Sequence, residues 1–231
     1  MRTSLLLIAF VSIAFALQAQ KKETRSLSSF HGVHTSASIN TKLVKGAKNQ
    51  VEIKVRGVDL EDVKSEVDGG ILTLGMKGKQ WGNMWKNKEV WALVTYTDEL
   101  DYIGATSSSD MIVEETLSGS ELSVKVTSSA DMKVDIDVDE LNIDISSSAD
   151  LTISGQANKA KIDASSSADL SGKGLTVDHA RLKASSSSDI SIGVTQSLDA
   201  KASSSAEIVY YGQPEKRNID RSSSGSVRGR N

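Results

Sequence analysis

Several things that the sequence lacks narrow its function before any motif is considered. The chain of 231 residues contains no cysteine and a single proline, Pro214, and aromatic residues make up only 4% of it. Without cysteine there is no disulfide framework, no thiol catalysis and no Cys-ligated zinc or iron–sulfur centre. The 27 Lys and Arg residues are balanced by 30 Asp and Glu residues, which gives a net charge of −3. This balance argues against a nucleic-acid-binding protein, which needs a strongly basic face.

Long apolar runs are also missing, with one exception at the N-terminus. There an apolar run extends from Leu5 to Leu17, and small residues stand at Ala16 and Ala19. The run is shorter than the roughly 20 residues that span a bilayer. The pattern predicts a signal peptide over residues 1–19 that is cleaved after Ala19, with Ala16 as the alternative site and an uncleaved anchor as the competing interpretation. We therefore expect an exported protein, periplasmic or extracellular at the cell surface, with no transmembrane segment in the mature chain.

Serine is the residue that the chain has in excess, 37 in all, and much of it lies in a repeat. Runs of Ser, several of them ending in Ala, precede an acidic residue six times, at steps of 18 to 21 residues. The six acids are Asp110, Asp131, Asp150, Asp169, Asp189 and Glu207. A weaker copy without the acid lies at residues 222–226. Six acids in one register indicate repeated structural units of about 19 residues.

Apolar residues alternate with polar ones on both sides of each acid. Seven residues before three successive acids, for example, stand Ile143, Ile162 and Leu182. This period of two predicts strands with one buried face, because a helix would space its apolar residues by three and four. At about 3.3 Å per residue, one unit is long enough for a single coil of a solenoid, in which equivalent residues stack about 4.8 Å apart. We therefore predict a parallel β-solenoid in which these three aliphatic residues are neighbours.

The Ser runs and the acids each admit two interpretations. By parity, the serines three residues before each acid point inward and hydrogen-bond along a column; they are Ser107, Ser128, Ser147, Ser166, Ser186 and Ser204. A catalytic or glycosylated serine is the alternative, although a nucleophile needs one serine with a base rather than a ladder. Stacked carboxylates repel by about 0.9 kcal/mol per neighbouring pair in water, so the acids should face solvent or bind a cation such as Ca²⁺.

The first half of the chain has longer strands and one candidate helix. Strands are predicted around residues 51–55, 71–74 and 90–96. Residues 59–67 place Leu60, Val63 and Val67 at helical spacing, with Asp59 as the N-cap. Trp91 shares its parity with Leu93, which predicts that Trp91 belongs to the core. No linker separates the halves, so we expect one continuous body.

Specific segments of this chain resemble a known bacterial family. They are Phe30–Val33, Ser36–Asn40, Val51–Val55, Glu66–Leu72, the Ser/Ala/Asp repeats and Val209–Pro214. Together they are similar to the family "putative auto-transporter adhesin, head GIN domain" over about residues 27–229. The tripeptide that names the family falls at Ser38-Ile39-Asn40, where Ser replaces the expected Gly. The resemblance implies an all-β, right-handed parallel β-helix or β-solenoid in one domain, an exported protein, and no catalytic residues.

Residues with evident chemistry are sparse. His31 and His34 face opposite sides of a strand, so they cannot ligate one metal, and His179 stands alone. The polar segment between two predicted strands contains Trp81 and Trp85 next to Lys86. A loop Trp often serves as a platform for a carbohydrate or a protein partner, and capping of the solenoid is the alternative role. We predict Trp81, Trp85 and Lys86 as ligand-binding residues.

These observations predict an exported, non-catalytic binding or adhesive module of the cell envelope. Its expected partner is a glycan or a cell-surface protein, with no nucleic acid, metal or cofactor involved. A polysaccharide-acting β-helix enzyme and a purely structural spacer are the alternatives. The nearly uniform coils argue against an enzyme, which would interrupt them with loops carrying clustered acids and bases. A spacer would not need a Trp-bearing loop.

Overall fold

The computed structural model describes residues 21–78 and 88–230. These residues form 17 strands of one hydrogen-bonded sheet and a single short 3₁₀ helix, Leu60–Asp62. The strands are β1 (Lys21–Ser26), β2 (Gly32–Thr35), β3 (Ile39–Lys45), β4 (Gln50–Arg56), β5 (Val63–Asp68), β6 (Ile71–Met76), β7 (Glu89–Tyr96), β8 (Tyr102–Ala105), β9 (Asp110–Val113), β10 (Leu117–Thr127), β11 (Asp131–Ser146), β12 (Asp150–Ala164), β13 (Asp169–Ala184), β14 (Asp189–Ala202), β15 (Glu207–Tyr211), β16 (Lys216–Arg221) and β17 (Ser226–Arg230).

Each coil of the solenoid turns one tight corner at its Ser run. The strand segments before the corners pair with one another in the order β5-β6-β2-β8-β10-β11-β12-β13-β14-β16, and we call this the pre-corner stack. The segments after the corners form the post-corner stack, in the order β1-β4-β7-β3-β9-β11-β12-β13-β14-β15-β17. The long strands β11 to β14 contribute one end to each stack. Pairing is parallel throughout, except at the β1–β4, β4–β7 and β5–β6 contacts.

The predicted register is confirmed. Ile143 pairs with Ile162, and Ile162 pairs with Leu182. All three side chains are buried, and the core around them consists almost entirely of Val, Ile, Leu and Ala. Because each coil presents the same side to its neighbours, the aliphatic residues form continuous columns, and no coil buries its apolar face alone.

The predicted inward position of the corner serines is wrong. In each corner two consecutive residues have positive φ, for example Ser166 at 57° and Ser167 at 60°, and the values in all the corners lie between 47° and 64°. Two left-handed residues interrupt the alternation of the strand, so both serines face solvent. The inward position falls instead on the residue just before the acid, and those residues are Ser109, Ala130, Ala149, Ala168, Ser188 and Ala206.

The predicted helix over residues 59–67 is also wrong. Only the 3₁₀ turn Leu60–Asp62 is helical, and Asp59 makes no side-chain cap. From Val63 onward the chain is strand β5, which pairs with β6 through a turn at Gly69 and Gly70, where φ is +55° and +79°. Pairing with β6 and burial of Val63 outweigh the weak helical spacing of the segment.

The first coil along the chain is not the first coil of the solenoid. Strands β2 and β3 lie between the β6/β7 coil and the β8/β9 coil. At the end beyond β6 and β7, Arg25 of β1 donates hydrogen bonds to the carbonyls of Val63 and Leu60, both at 2.7 Å. Arg25 therefore connects the two stacks at this end of the solenoid.

A membrane-spanning helix is not found in the part of the chain that the structure describes.

Candidate functional site

The acids of the repeat form a single row along the post-corner stack. Asp110 pairs with Asp131, and the row continues through the later coils to Glu207, as the repeat predicts. All five aspartates are exposed. Partial burial and the neighbouring carboxylates of Asp110 and Asp150 raise the pKa of Asp131. Partial burial and the neighbouring carboxylates of Asp189 and Asp150 likewise raise the pKa of Asp169, against a small opposing effect of Lys173.

A metal site is not evident along this row. Within residues 21–78 and 88–230, no three or more His, Asp or Glu side chains come together in a way that would hold an ion. The spacing of successive strands leaves the carboxylates side by side rather than converging on one point. The calcium interpretation of the acids therefore has no support from their arrangement.

Beyond Asp110, the row of acids continues across two more strands to an aromatic side chain. Asp110 pairs with Asn40 of β3, and Asn40 pairs with Trp91 of β7. Trp91 is partly exposed, with the guanidinium of Arg56 lying 5.8 Å from its ring centroid. The prediction that Trp91 belongs to the core is therefore wrong, because Val90, Ala92 and Val94 take the inward positions of β7.

Two aliphatic side chains lie beside Trp91 in the next row. Leu93 and Ile112 are the large hydrophobic residues that the described part of the chain exposes most, at 36% and 46%. Lys42 lies between them in the register of β7, β3 and β9. Together with Asn40 and Asp110 these side chains line a shallow groove of about 560 Å³ whose exposed surface is mostly apolar. We call it the Trp91 groove.

The cations around the Trp91 groove are already paired with acids. Lys42 lies 2.7 Å from Glu114, Lys54 lies 3.3 Å from Glu52, and Arg56 pairs with Glu89. The side chains of Asn40 and Asp110, in contrast, form no hydrogen bond or ion pair with another described residue. The groove thus offers an apolar platform next to an amide and a carboxylate that are open to a ligand.

The predicted site residues Trp81, Trp85 and Lys86 lie outside the described residues. They belong to the segment that joins β6 to β7 along the chain. Trp91 was missed as a site residue because both parities of β7 are apolar, so alternation alone does not say which one faces out. The signal that finds it is the register, which places it in the same row as the acids.

The three histidines have different hydrogen-bond partners. His31 is exposed and accepts or donates a hydrogen bond with Asp101 at 2.7 Å, and this partner raises the pKa of His31. His34 stacks on Tyr102, and burial lowers its pKa. His179 contacts Ser197 at 2.9 Å. A catalytic triad requires a histidine that contacts both a serine and an acid. Among the described residues, no histidine forms hydrogen bonds with both.

Comparisons with known proteins identify the fold. The family model "Putative auto-transporter adhesin, head GIN domain" matches residues 29–214. No curated protein matches the sequence. A crystal structure of a putative adhesin from Bacteroides fragilis superposes with a TM-score of 0.83 at 16% identity, covering 92% of this chain and 98% of that one.

Two structures from Parabacteroides distasonis are also similar. One, of a putative adhesin, has a TM-score of 0.71 at 20% identity and covers 92% of this chain and 97% of that one. The other, of a putative lipid binding protein, has a TM-score of 0.67 at 18% identity with the same two coverages. At these identities the likeness shows a shared fold.

Proposed function

The chain belongs to the family "Putative auto-transporter adhesin, head GIN domain", and from this membership we propose that it is a non-catalytic adhesive module of the bacterial cell envelope, exported by its N-terminal signal peptide. The observation that carries the proposal is the Trp91 groove, where a partly exposed indole lies next to the exposed side chains of Leu93 and Ile112. Exposed apolar clusters of this kind mark binding surfaces.

The chemistry of the groove favours a ligand with one apolar and one polar side, such as a sugar ring or a protein side chain. The flat face of Trp91 supplies apolar contact area at a low entropic cost. The amide of Asn40 donates and accepts hydrogen bonds, and the carboxylate of Asp110 accepts them. A catalytic group is not needed for such a contact, and the groove supplies no nucleophile with a base.

We further propose that Trp81, Trp85 and Lys86 contribute to the same adhesive function. Their segment leads directly into β7, the strand that carries Trp91. Lys86 adds a cation next to two aromatic residues, a combination suited to a sugar with an anionic group.

A binding screen with matched variants tests the proposal. The cleaved protein is screened against glycan arrays and envelope proteins, and each hit is measured with Trp91→Ala, with Trp81→Ala/Trp85→Ala and with Tyr211→Ala as an aromatic control outside the groove. Truncation of a central aromatic anchor costs about 2 kcal/mol, so Trp91→Ala should weaken binding about thirtyfold. The control should bind like the wild type.

Two results would contradict the proposal. If no glycan or protein binds, the adhesive function fails, and the spacer interpretation replaces it. If a ligand binds equally to wild type and Trp91→Ala, the Trp91 groove is not the contact, and loss of binding in Trp81→Ala/Trp85→Ala would move it to that segment.

A further inference from the structure

A second groove of about 570 Å³ lies on the pre-corner stack, across the coils from β11 to β16. Two rows of side chains form its walls, and the small residues Ala160 and Ala180 lie between them. One row runs from Glu140 through Lys159 and His179 to Lys216, and the other runs through Lys161 and Arg181. The groove is far from the row that leads to Trp91, because that row belongs to the post-corner stack.

The charge of this groove differs in sign from that of the whole chain. Its lining includes five cations, Lys159, Lys161, Arg181, Lys216 and Arg217. Two acids, Glu140 and Asp199, oppose them, so the Lys, Arg, Asp and Glu side chains of the groove sum to five minus two, or +3. The whole chain has a net charge of −3. We call this surface the basic groove.

Only part of this positive charge is neutralised within the protein. Lys159 pairs with Glu140 at 2.9 Å, and Nε of Arg181 lies 3.5 Å from Asp199. The nearest acid to Lys161 is 4.0 Å away. The ammonium of Lys216 has no hydrogen-bond or ion-pair partner among the described residues. The remaining nitrogens of Arg181 are likewise open to a ligand, and a guanidinium binds carboxylate, sulfate or phosphate groups through two parallel bonds.

We infer that the basic groove binds a linear anionic polysaccharide. Its cations are spread over three strand spacings, from β12 to β16, or about 14 Å, which suits several residues of a chain rather than one small ion. Ala160 and Ala180 between the two rows are buried and face the core, so only backbone forms the floor between the exposed rows, where a sugar chain can lie. Bilayers are disfavoured because Leu93 and Ile112, the most exposed large apolar residues of the described chain, both lie in the post-corner stack. Nucleic acids are disfavoured by the net negative charge of the protein.

The test compares charged chains with their neutral counterparts. Binding of the cleaved protein is measured by calorimetry to polygalacturonate and to its methyl ester, and to dextran sulfate and dextran. The same titrations use the variant Lys161→Gln/Arg181→Gln/Lys216→Gln. The matched control is Lys48→Gln/Lys133→Gln/Lys173→Gln, which also removes three exposed cations but lies outside the basic groove.

The charged chains should bind and their neutral counterparts should not, and added salt should weaken binding. The groove variant should lose about tenfold in affinity, which three exposed charge contacts supply together, while the control stays within about twofold of wild type. Trp91→Ala should bind the charged chains normally, which separates this site from the proposed adhesive contact.

Three results would overturn the inference. The first is no binding of either charged chain, and the second is an equal loss in the groove variant and the control, which would indicate a diffuse charge effect. The third is tighter binding of phosphatidylglycerol vesicles or of single-stranded DNA than of the charged polysaccharides.

Discussion

At the scale of single residues, the corners are the unusual feature of this chain. Among the residues that the structure describes, sixteen other than glycine have positive φ, and all of these but Ala37 are serine. The left-handed conformation costs an L-residue about 1 kcal/mol or more. A hydrogen-bond ladder offsets this cost in every corner but the last, because the backbone N–H of the second corner residue donates to the carbonyl of the first corner residue in the next coil, as Ser167 does to Ser186 at 3.0 Å.

Glycine at the second corner position should stabilise the protein. Ser167 has φ of 60°, and glycine adopts this conformation without a steric penalty while keeping the N–H that bonds to Ser186. We expect Ser167→Gly to raise the free energy of unfolding by about 0.5–1 kcal/mol and Ser167→Val to lower it by about 1–2 kcal/mol. Urea unfolding measures both. Ser171→Gly, at an exposed extended position of β13, serves as the control and should be destabilising.

At the scale of elements, the row of acids is held together against its own repulsion. Asp169 lies between Asp150 and Asp189 in the register. Its pKa is raised, chiefly by burial and then by these two carboxylates. Folding therefore favours the protonated form of Asp169. This contribution to stability is fully present below the unfolded pKa, near 3.9, and is lost as the pH rises through the raised folded pKa.

Neutralising one acid in the row should stabilise the protein in a pH-dependent way. Asp169→Asn removes repulsion from two neighbours, so we expect a gain of about 1 kcal/mol at pH 7 that disappears at pH 3, where the wild-type carboxyl is protonated. Chemical denaturation at the two pH values measures it. Asp144→Asn is the control, because Asp144 faces Lys125 and should show no gain. A gain that is equal at both pH values would contradict the electrostatic explanation.

At the scale of the whole molecule, the solenoid is close to a one-dimensional array. Each coil contacts mainly the coils on either side of it, so stability is approximately a sum of coil and interface terms. At its beginning the order of the coils departs from the order of the chain, because β2 and β3 are inserted between coils that follow them in the chain. The later coils, from β11 to β14, follow one another in chain order.

Removing one whole coil should leave a folded protein. Deletion of residues 150–168 joins Ala149 to Asp169, so that β11 faces β13 with the corner and the aliphatic columns in register. We expect a soluble β-sheet protein with a lower melting temperature, since one coil interface is lost. Circular dichroism and size-exclusion chromatography measure this. Deleting only residues 150–159 shifts every column out of register, and that variant should not fold; equal behaviour of the two deletions would contradict the array description.

The sequence by itself determined the coil length, the register and the order of rows, down to the pairing of Ile162 with Ile143 and Leu182. These properties follow from the period of two and from the repeat, both of which are local along the chain. It also carried the family resemblance that the family model confirms.

Where the local sequence pattern is compatible with two conformations, only the tertiary structure decided which side chains face solvent and which segments are strands. The left-handed corners turned the serines outward, pairing with β6 made residues 63–68 a strand, and the packing of β7 turned Trp91 outward. Both grooves depend on contacts between separate strands. In the Trp91 groove, for example, Asn40 lies between Trp91 and Asp110, which are about 50 and 70 residues further along the chain. No single segment contains that information, because each groove exists only where separate strands are brought side by side.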